Sequence, residues 1–178
     1  MLTLGTAQFG IGDYGIARRS GEVTLSQAEL IMSTAWAGGV RFFDTAQGYG
    51  DSEEKIGAVL GRLGRSSDVP HVVTKLDPGL DPDDLPGIVK AVSDSLNRLK
   101  GDGVFGVLLH RHAWLRHWDR GLGECLRKFM LSGKVRHFGV SVYSVEEAMS
   151  AIEHPDMEII QLPCNAWDQK MLRAGVLE

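Results

Sequence analysis

The chain has 178 residues, 43% of them apolar, enough for one hydrophobic core, so a single domain over residues 1–178 is expected. Nineteen basic against 23 acidic residues leave a net charge of −4, which argues against a phosphate-backbone partner, and no apolar run reaches the ~18 residues needed to cross a bilayer. The 22 glycines and 6 prolines follow no period, which sets aside fibrous and low-complexity classes, while the unpaired Cys125 and Cys164 and a start without a signal-peptide pattern point to the cytoplasm.

Leu2 to Thr6 is the first β-prone run. Gly10-Ile-Gly12-Asp-Tyr-Gly15 follows it and matches Gly-x-Gly-x-x-Gly. A dinucleotide-binding turn should open straight into a helix. Ile16 to Val23, with Arg18, Arg19, Ser20 and Gly21, carries no helical stripe, so a loop over one face of the sheet is expected instead. Ser26 with Glu29 fits a capping box and predicts a helix start, with Gly38 as its left-handed stop. Val40 to Asp44 is the second strand, and Ile56, Val59, Leu60 and Leu63 mark the next helix by their i, i+3, i+4, i+7 spacing.

His71 to Lys75 is the third strand. Ile88, Ala91, Val92, Ser95, Leu96 and Leu99 form a longer helical stripe that stops at Gly101. Val104 to His110 is the fourth strand, followed by a loop, Arg111 to Arg120. Leu122, Cys125, Leu126 and Phe129 predict a helix ending at Gly133, with Cys125 as a small apolar core residue. Val135 to Ser141 is the fifth strand, Ser144 with Glu147 caps a further helix, and Met157 to Leu162 is the sixth strand. Met171, Leu172, Val176 and Leu177 begin an apolar pattern that stops at Glu178.

Strands separated by helices run parallel. Periodicity alone leaves two architectures open, an open doubly wound sheet or a (β/α)₈ TIM barrel. A barrel needs eight strands and roughly 250 residues, so this chain would hold about six of the eight βα units, its last quarter missing.

Each strand ends in a chemically capable side chain. Asp44 closes the second, with Tyr49 in the following loop; Lys75 closes the third, His110 the fourth and Ser141 the fifth, while the sixth carries Gln161 with Asn165 just beyond. The intervals are each ~30 residues, one βα unit. In a parallel sheet all of these ends share one face. An ammonium beside a phenol favours the phenolate and so strengthens the acid, a carboxylate holds the ammonium, and an imidazole orients a carbonyl oxygen. Asp44, Tyr49, Lys75 and His110 would then form a proton-donating site for carbonyl reduction, the hydride coming from a nicotinamide. Singly, each residue also has a plain reading: a buried ion pair for Asp44 and Lys75, a packed aromatic for Tyr49, a core histidine for His110.

The stretch Gly39-Val-Arg-Phe-Phe-Asp44-Thr-Ala-Gln-Gly-Tyr49-Gly-Asp-Ser52-Glu53 resembles the Gly-x-Arg-x-x-Asp-Thr-Ala-x-x-Tyr-Gly signature of the aldo-keto reductases. Thr74-Lys75, Leu108-Leu109-His110 and Gly139-Val140-Ser141 follow in that family's order, and Leu4-Gly5-Thr6-Ala7-Gln8-Phe9-Gly10 is similar to the start of its bacterial members. The resemblance implies a (β/α)₈ barrel and NAD(P)H-dependent reduction of an aldehyde or ketone, with NADP(H), or alternatively NAD(H), as cofactor. It implies Tyr49 as acid, Lys75 and Asp44 as its support and His110 as the group that orients the substrate. It further implies that Ser141 and Gln161 hold the nicotinamide carboxamide and that Gly5 and Thr6 lie near the cofactor. The family usually follows its serine with Asn; here Val142 stands there, so one carboxamide hydrogen bond is either missing or supplied otherwise, with Asn165 the candidate.

His110, His112 and His117 suggest a metal set, but no carboxylate or cysteine completes it, so no metal is expected. Trp114, Trp118, Arg111, Arg116 and Arg120 read either as a solubilising surface loop or as a pocket wall for an acidic substrate. The expected partner is a small carbonyl substrate, without nucleic acid or membrane, and six open strands would favour self-association through their edges. A reading of a different class is a catalytically silent fragment or binding subunit of a longer reductase.

Overall fold

Six strands, β1 (Thr3–Gly5), β2 (Phe42–Asp44), β3 (His71–Lys75), β4 (Val104–Leu109), β5 (Val135–Ser141) and β6 (Ile159–Gln161), form one sheet in that order, with every neighbouring pair parallel. The computed structural model describes residues 2–15, 21, 23–63 and 70–177. Between the strands lie α1 (Ala7–Gly10), α2 (Leu25–Ala37), α3 (Ser52–Leu63), α4 (Leu85–Leu99), a 3₁₀ helix (His112–Arg120), α5 (Leu122–Leu131), α6 (Val145–Ile152) and, after β6, α7 (Lys170–Arg173).

The order of strands in the sheet is their order in the chain. A doubly wound sheet reverses direction at a switch point; here winding never reverses, as in a barrel. The architecture is six βα units of a (β/α)₈ barrel, with β1 and β6 as its two edges among the described residues.

The main core lies between sheet and helices. Phe43, Val72, Val107, Leu109, Phe138 and Val140 join Met32, Ile56, Val59, Ile88, Val92 and Leu126 in one buried cluster. The stripes expected of α3, α4 and α5 face it, Cys125 included; the Leu63 side chain lies outside the described residues. Burial raises the Cys125 thiol above its ordinary value. At the N-terminal strand ends, Phe105 packs its ring 4.9 Å from Phe42, 5.0 Å from His71 and 4.6 Å from His137, centroid to centroid.

Some helix boundaries differ from expectation. Thr24, not Ser26, caps α2: its hydroxyl accepts from the Gln27 N–H, and the Gln27 carboxamide oxygen accepts from the Thr24 N–H. Thr-x-x-Gln satisfies the same rule two residues earlier, and Glu29 is drawn instead to Arg62 at 2.6 Å. Ser144 caps α6 as expected. Gly39, at φ +90°, takes the left-handed position rather than Gly38, and Lys100, at φ +54°, takes it rather than Gly101; Gly133 has the expected φ of +70°.

The segment Arg111 to Arg120 is not a loop and makes no aromatic pocket wall. Trp114 and Trp118 are buried in the core, because the 3₁₀ turn aims them at the sheet and α5. Gly123 leaves room for Trp118, since a Cβ there would lie 2.6 Å from its Nε1. That nitrogen donates to Asp156 at 2.7 Å, and Arg127 donates to the same carboxylate. His117 is tied to Asp83 at 2.6 Å.

Candidate active site

Parallel register brings Gly5, Asp44 and Val73 side by side, and sets Lys75 against Leu108, two residues before His110. The C-terminal strand ends therefore deliver the expected residues to one place. Lys75 Nζ donates to Asp44 Oδ1 at 2.7 Å and to the Thr45 carbonyl at 2.9 Å. Only 2% of the Lys75 side chain is exposed, so its charge has few partners besides these. Gln161 Nε2 donates to the same Asp44 oxygen at 3.1 Å. Lys75 Nζ lies 5.1 Å from the centroid of the Tyr49 ring, and His110 meets that ring at right angles, 6.5 Å between centroids. A cavity of about 490 Å³ opens beside them, lined by Gly5, Ala7, Gln8, Tyr14, Gly15, Asp44 and Tyr49.

The charges around the phenol act differently from the sequence expectation. Burial first and the Asp44 carboxylate second push the Tyr49 phenol up to about 12. The nearby ammonium, itself paired with Asp44, does not outweigh these two effects. The phenol is thus protonated throughout the neutral range, which a proton donor requires. Burial lowers the Lys75 ammonium, and Asp44 opposes that shift. Burial and then the Lys75 charge lower His110, which keeps its imidazole neutral, with one N–H to donate. His110 Nδ1 is buried without a well-formed hydrogen bond, though the Leu76 backbone lies close enough to favour protonation.

The wall of the cavity is built on close backbone contact. A Cβ on Gly10 would lie 1.8 Å from the Tyr49 carbonyl oxygen. Lys55, on α3, donates to the Phe9 carbonyl and to Asp51, both at 2.7 Å, and pins α1 to the start of α3. The Gly-x-Gly-x-x-Gly match begins at Gly10, the last residue of α1, and its remainder, residues 11–15, places Tyr14 and Gly15 on the cavity. Residues 16–20 and 22 of the loop expected there lie outside the described residues. Gly10→Ala should displace the Tyr49 loop at a cost of about 1–3 kcal/mol, read as a lower urea midpoint together with weakened turnover. An unchanged midpoint would mean that this contact relaxes freely.

Two buried polar networks support the site, and neither was expected from the sequence. Thr6 is fully buried; its hydroxyl donates to the Asp44 carbonyl at 2.8 Å and lies 2.9 Å from the Ser52 hydroxyl, which also takes a bond from Thr45. Glu53, 1% exposed, accepts from Thr74 at 2.6 Å, from Ser95 at 3.2 Å and from Arg98 at 2.7 Å. The signal for both was the Ser52-Glu53 pair within the signature stretch.

The remaining candidates fall in different places. Gly5 lines the cavity, whereas the Thr6 side chain does not reach it. Ser141 is buried at the end of β5, in register with Gln161. Asn165 is exposed, and its side-chain oxygen accepts from the Trp167 and Asp168 N–H groups in a local turn. Cys164 is exposed. Among the described residues no group of three or more His, Cys, Asp and Glu side chains is placed to hold a metal ion. No helix among them is long and apolar enough to cross a membrane.

A family model described as "Aldo/keto reductase family" matches residues 1–175. Over 150 residues the chain is 30% identical to aldo-keto reductase str7 of Strobilurus tenacellus, covering 79% of this chain and 44% of that protein. Over 142 residues it is 31% identical to a 6-dehydroglucose reductase of Novosphingobium aromaticivorans, covering 74% of this chain and 46% of that one. The chain thus spans about half the length of these curated relatives. Among solved structures, the Pseudomonas aeruginosa protein PA4992 matches with a TM-score of 0.78 at 24% identity, over 97% of this chain and 66% of its own. A Bombyx mori aldo-keto reductase in complex with NADP matches with a TM-score of 0.67 at 21% identity, over 99% of this chain and 59% of its own.

Proposed function

The chain belongs to the aldo/keto reductase family, and from that premise we propose that it carries the proton-donating site of an oxidoreductase that reduces an aldehyde or ketone to an alcohol. The observation that carries the reading is the convergence of Asp44, Lys75, Tyr49 and His110 at the C-terminal strand ends, beside a cavity of about 490 Å³. In this reading Tyr49 donates its O–H proton to the carbonyl oxygen. Lys75, held by Asp44, stabilises the phenolate left behind, and neutral His110 orients the same oxygen.

A nicotinamide fits the residues present. The cavity has room for it, and Ser141 and Gln161, paired in register, offer a hydroxyl and a carboxamide for its amide group. When bound, the cofactor supplies the hydride that no side chain can. We assign NADP(H), supported by the NADP complex of the Bombyx mori relative, with NAD(H) as the alternative. Gly5 lies on the cavity and would approach the cofactor by its backbone; Thr6 acts beneath it, holding the Asp44 strand end. Asn165 is the proposed substitute for the amide lost at Val142, and would have to turn from its present local contacts to serve. The proposed setting is cytoplasmic, without nucleic-acid or membrane partners, with self-association through the β1 and β6 edges.

Titration of the chain with NADPH, followed by fluorescence, tests the reading together with turnover of simple aldehydes. Saturable micromolar binding with turnover is expected. No binding up to millimolar cofactor would overturn it in favour of the silent fragment or binding subunit.

A further inference from the structure

Gln47 lies in the β2–α3 loop between Asp44 and Tyr49, at a position the signature leaves free. Its carboxamide is used almost fully. The oxygen accepts from the Asp77 N–H at 2.8 Å, just past β3 and Lys75. The nitrogen donates to the Ala91 carbonyl at 2.9 Å and to the Ser95 hydroxyl at 2.8 Å, both on α4. Three of the four hydrogen bonds open to a carboxamide are therefore made. The Gln47 backbone N–H donates to the Lys75 carbonyl at 2.9 Å as well. Ser95 passes the connection to Glu53 and Arg98, so the far side of the tether is itself anchored.

The segment that follows needs such an anchor. Tyr49 stands between Gly48 and Gly50, the latter at φ +55°, and glycines leave a loop unusually free. We infer that Gln47 is a positioning residue: it clamps the loop carrying Tyr49 to the segment after Lys75 and to α4, and so sets the phenol over the ammonium. For its catalytic consequence the inference rests on the proposed role of Tyr49, but the placement itself does not.

The experiment therefore reads placement apart from turnover. The protein has three tyrosines, and Tyr14 and Tyr143 are exposed while Tyr49 is half-buried. Acetylation by N-acetylimidazole at neutral pH, mapped by mass spectrometry, gives the rate at Tyr49 relative to the other two as internal standards. In Gln47→Ala the Tyr49 rate should rise several-fold against Tyr143. Turnover should fall, by about 100-fold in kcat for a misplacement near 1 Å, with KM for NADPH unchanged. In the Tyr49→Phe background the same substitution should cost nothing further. If Gln47→Ala does not fold, Gln47→Met fills the same volume without the hydrogen bonds and serves in its place. An unchanged Tyr49 rate in the folded variant overturns the inference. If the wild-type chain turns over no carbonyl substrate, the catalytic reading fails, while the acetylation ratio still decides whether Gln47 positions Tyr49.

Discussion

Tyr49→Phe should abolish carbonyl reduction, lowering kcat by about 10²–10⁴-fold, while leaving the unfolding midpoint and NADPH affinity close to those of the wild type. The substitution removes one oxygen and keeps the ring. The ring makes the contacts with Lys75 and His110, at 5.1 Å and 6.5 Å, so local packing survives. The Tyr49 hydroxyl makes no hydrogen bond to a protein group among the described residues, so its loss leaves no buried partner unsatisfied. What disappears is a protonated phenol, pushed up to about 12 by burial and by Asp44. Single-turnover rates at saturating NADPH, set beside thermal melts of both proteins, separate chemistry from folding. Equal turnover by the variant would remove Tyr49 as the acid and leave His110 as the nearest alternative.

The value near 12 also shows where sequence reasoning reached its limit. A phenol, an ammonium and a carboxylate at successive strand ends were legible, because parallel strands gather their C-terminal ends whatever the details. Which pair would interact most strongly was not. Lys75 lies 2.7 Å from Asp44 and only over the Tyr49 ring, so the ammonium pairs with the carboxylate and does not outweigh the effects of burial and Asp44 on the phenol. The strands His71–Lys75 and Val135–Ser141 were legible to the residue, as compact apolar runs with clear ends. Helix caps were less so, since Thr24 and Ser26 offer the same motif two residues apart, and in the fold Glu29 faces Arg62 of α3 rather than the helix start. Gln47 and Glu53 were not singled out, because a polar residue in a loop or first helical turn reads as a solvated one. Their partners, Asp77, Ala91, Ser95 and Arg98, are 30 or more residues away.

The largest expected loss of stability comes from Asp44→Asn. Lys75 is 2% exposed, and among the described residues Asp44 is the only anion paired with it. Removing one partner of a buried pair costs about 3–5 kcal/mol, because the other charge is left in low dielectric. The Asn side chain still offers Gln161 an oxygen acceptor, so the deficit reports on Lys75. Its dependence on pH separates charge from packing. Burial already holds the folded Lys75 below its ordinary value of 10.5, and Asp44 is the main influence raising it. Without Asp44 the folded value drops further. Between that value and the ordinary one, the unfolded chain binds more protons than the folded chain, so stability rises with pH across the window. In Asp44→Asn the window extends down toward neutrality; below it both states are protonated and the full deficit remains. Urea melts at about pH 7 and about pH 9.5 should therefore show the variant recovering more stability than the wild type over that interval. The upper limit stays below the range where Tyr49, raised in the fold, acts in the opposite sense as the unfolded chain loses its phenolic proton first. Adding Lys75→Met should restore most of the loss at either pH, since a neutral side chain of similar volume needs no counter-ion. A deficit that stays constant with pH and survives Lys75→Met would show that Asp44 stabilises the strand ends through Gln161 and packing, not through the ammonium.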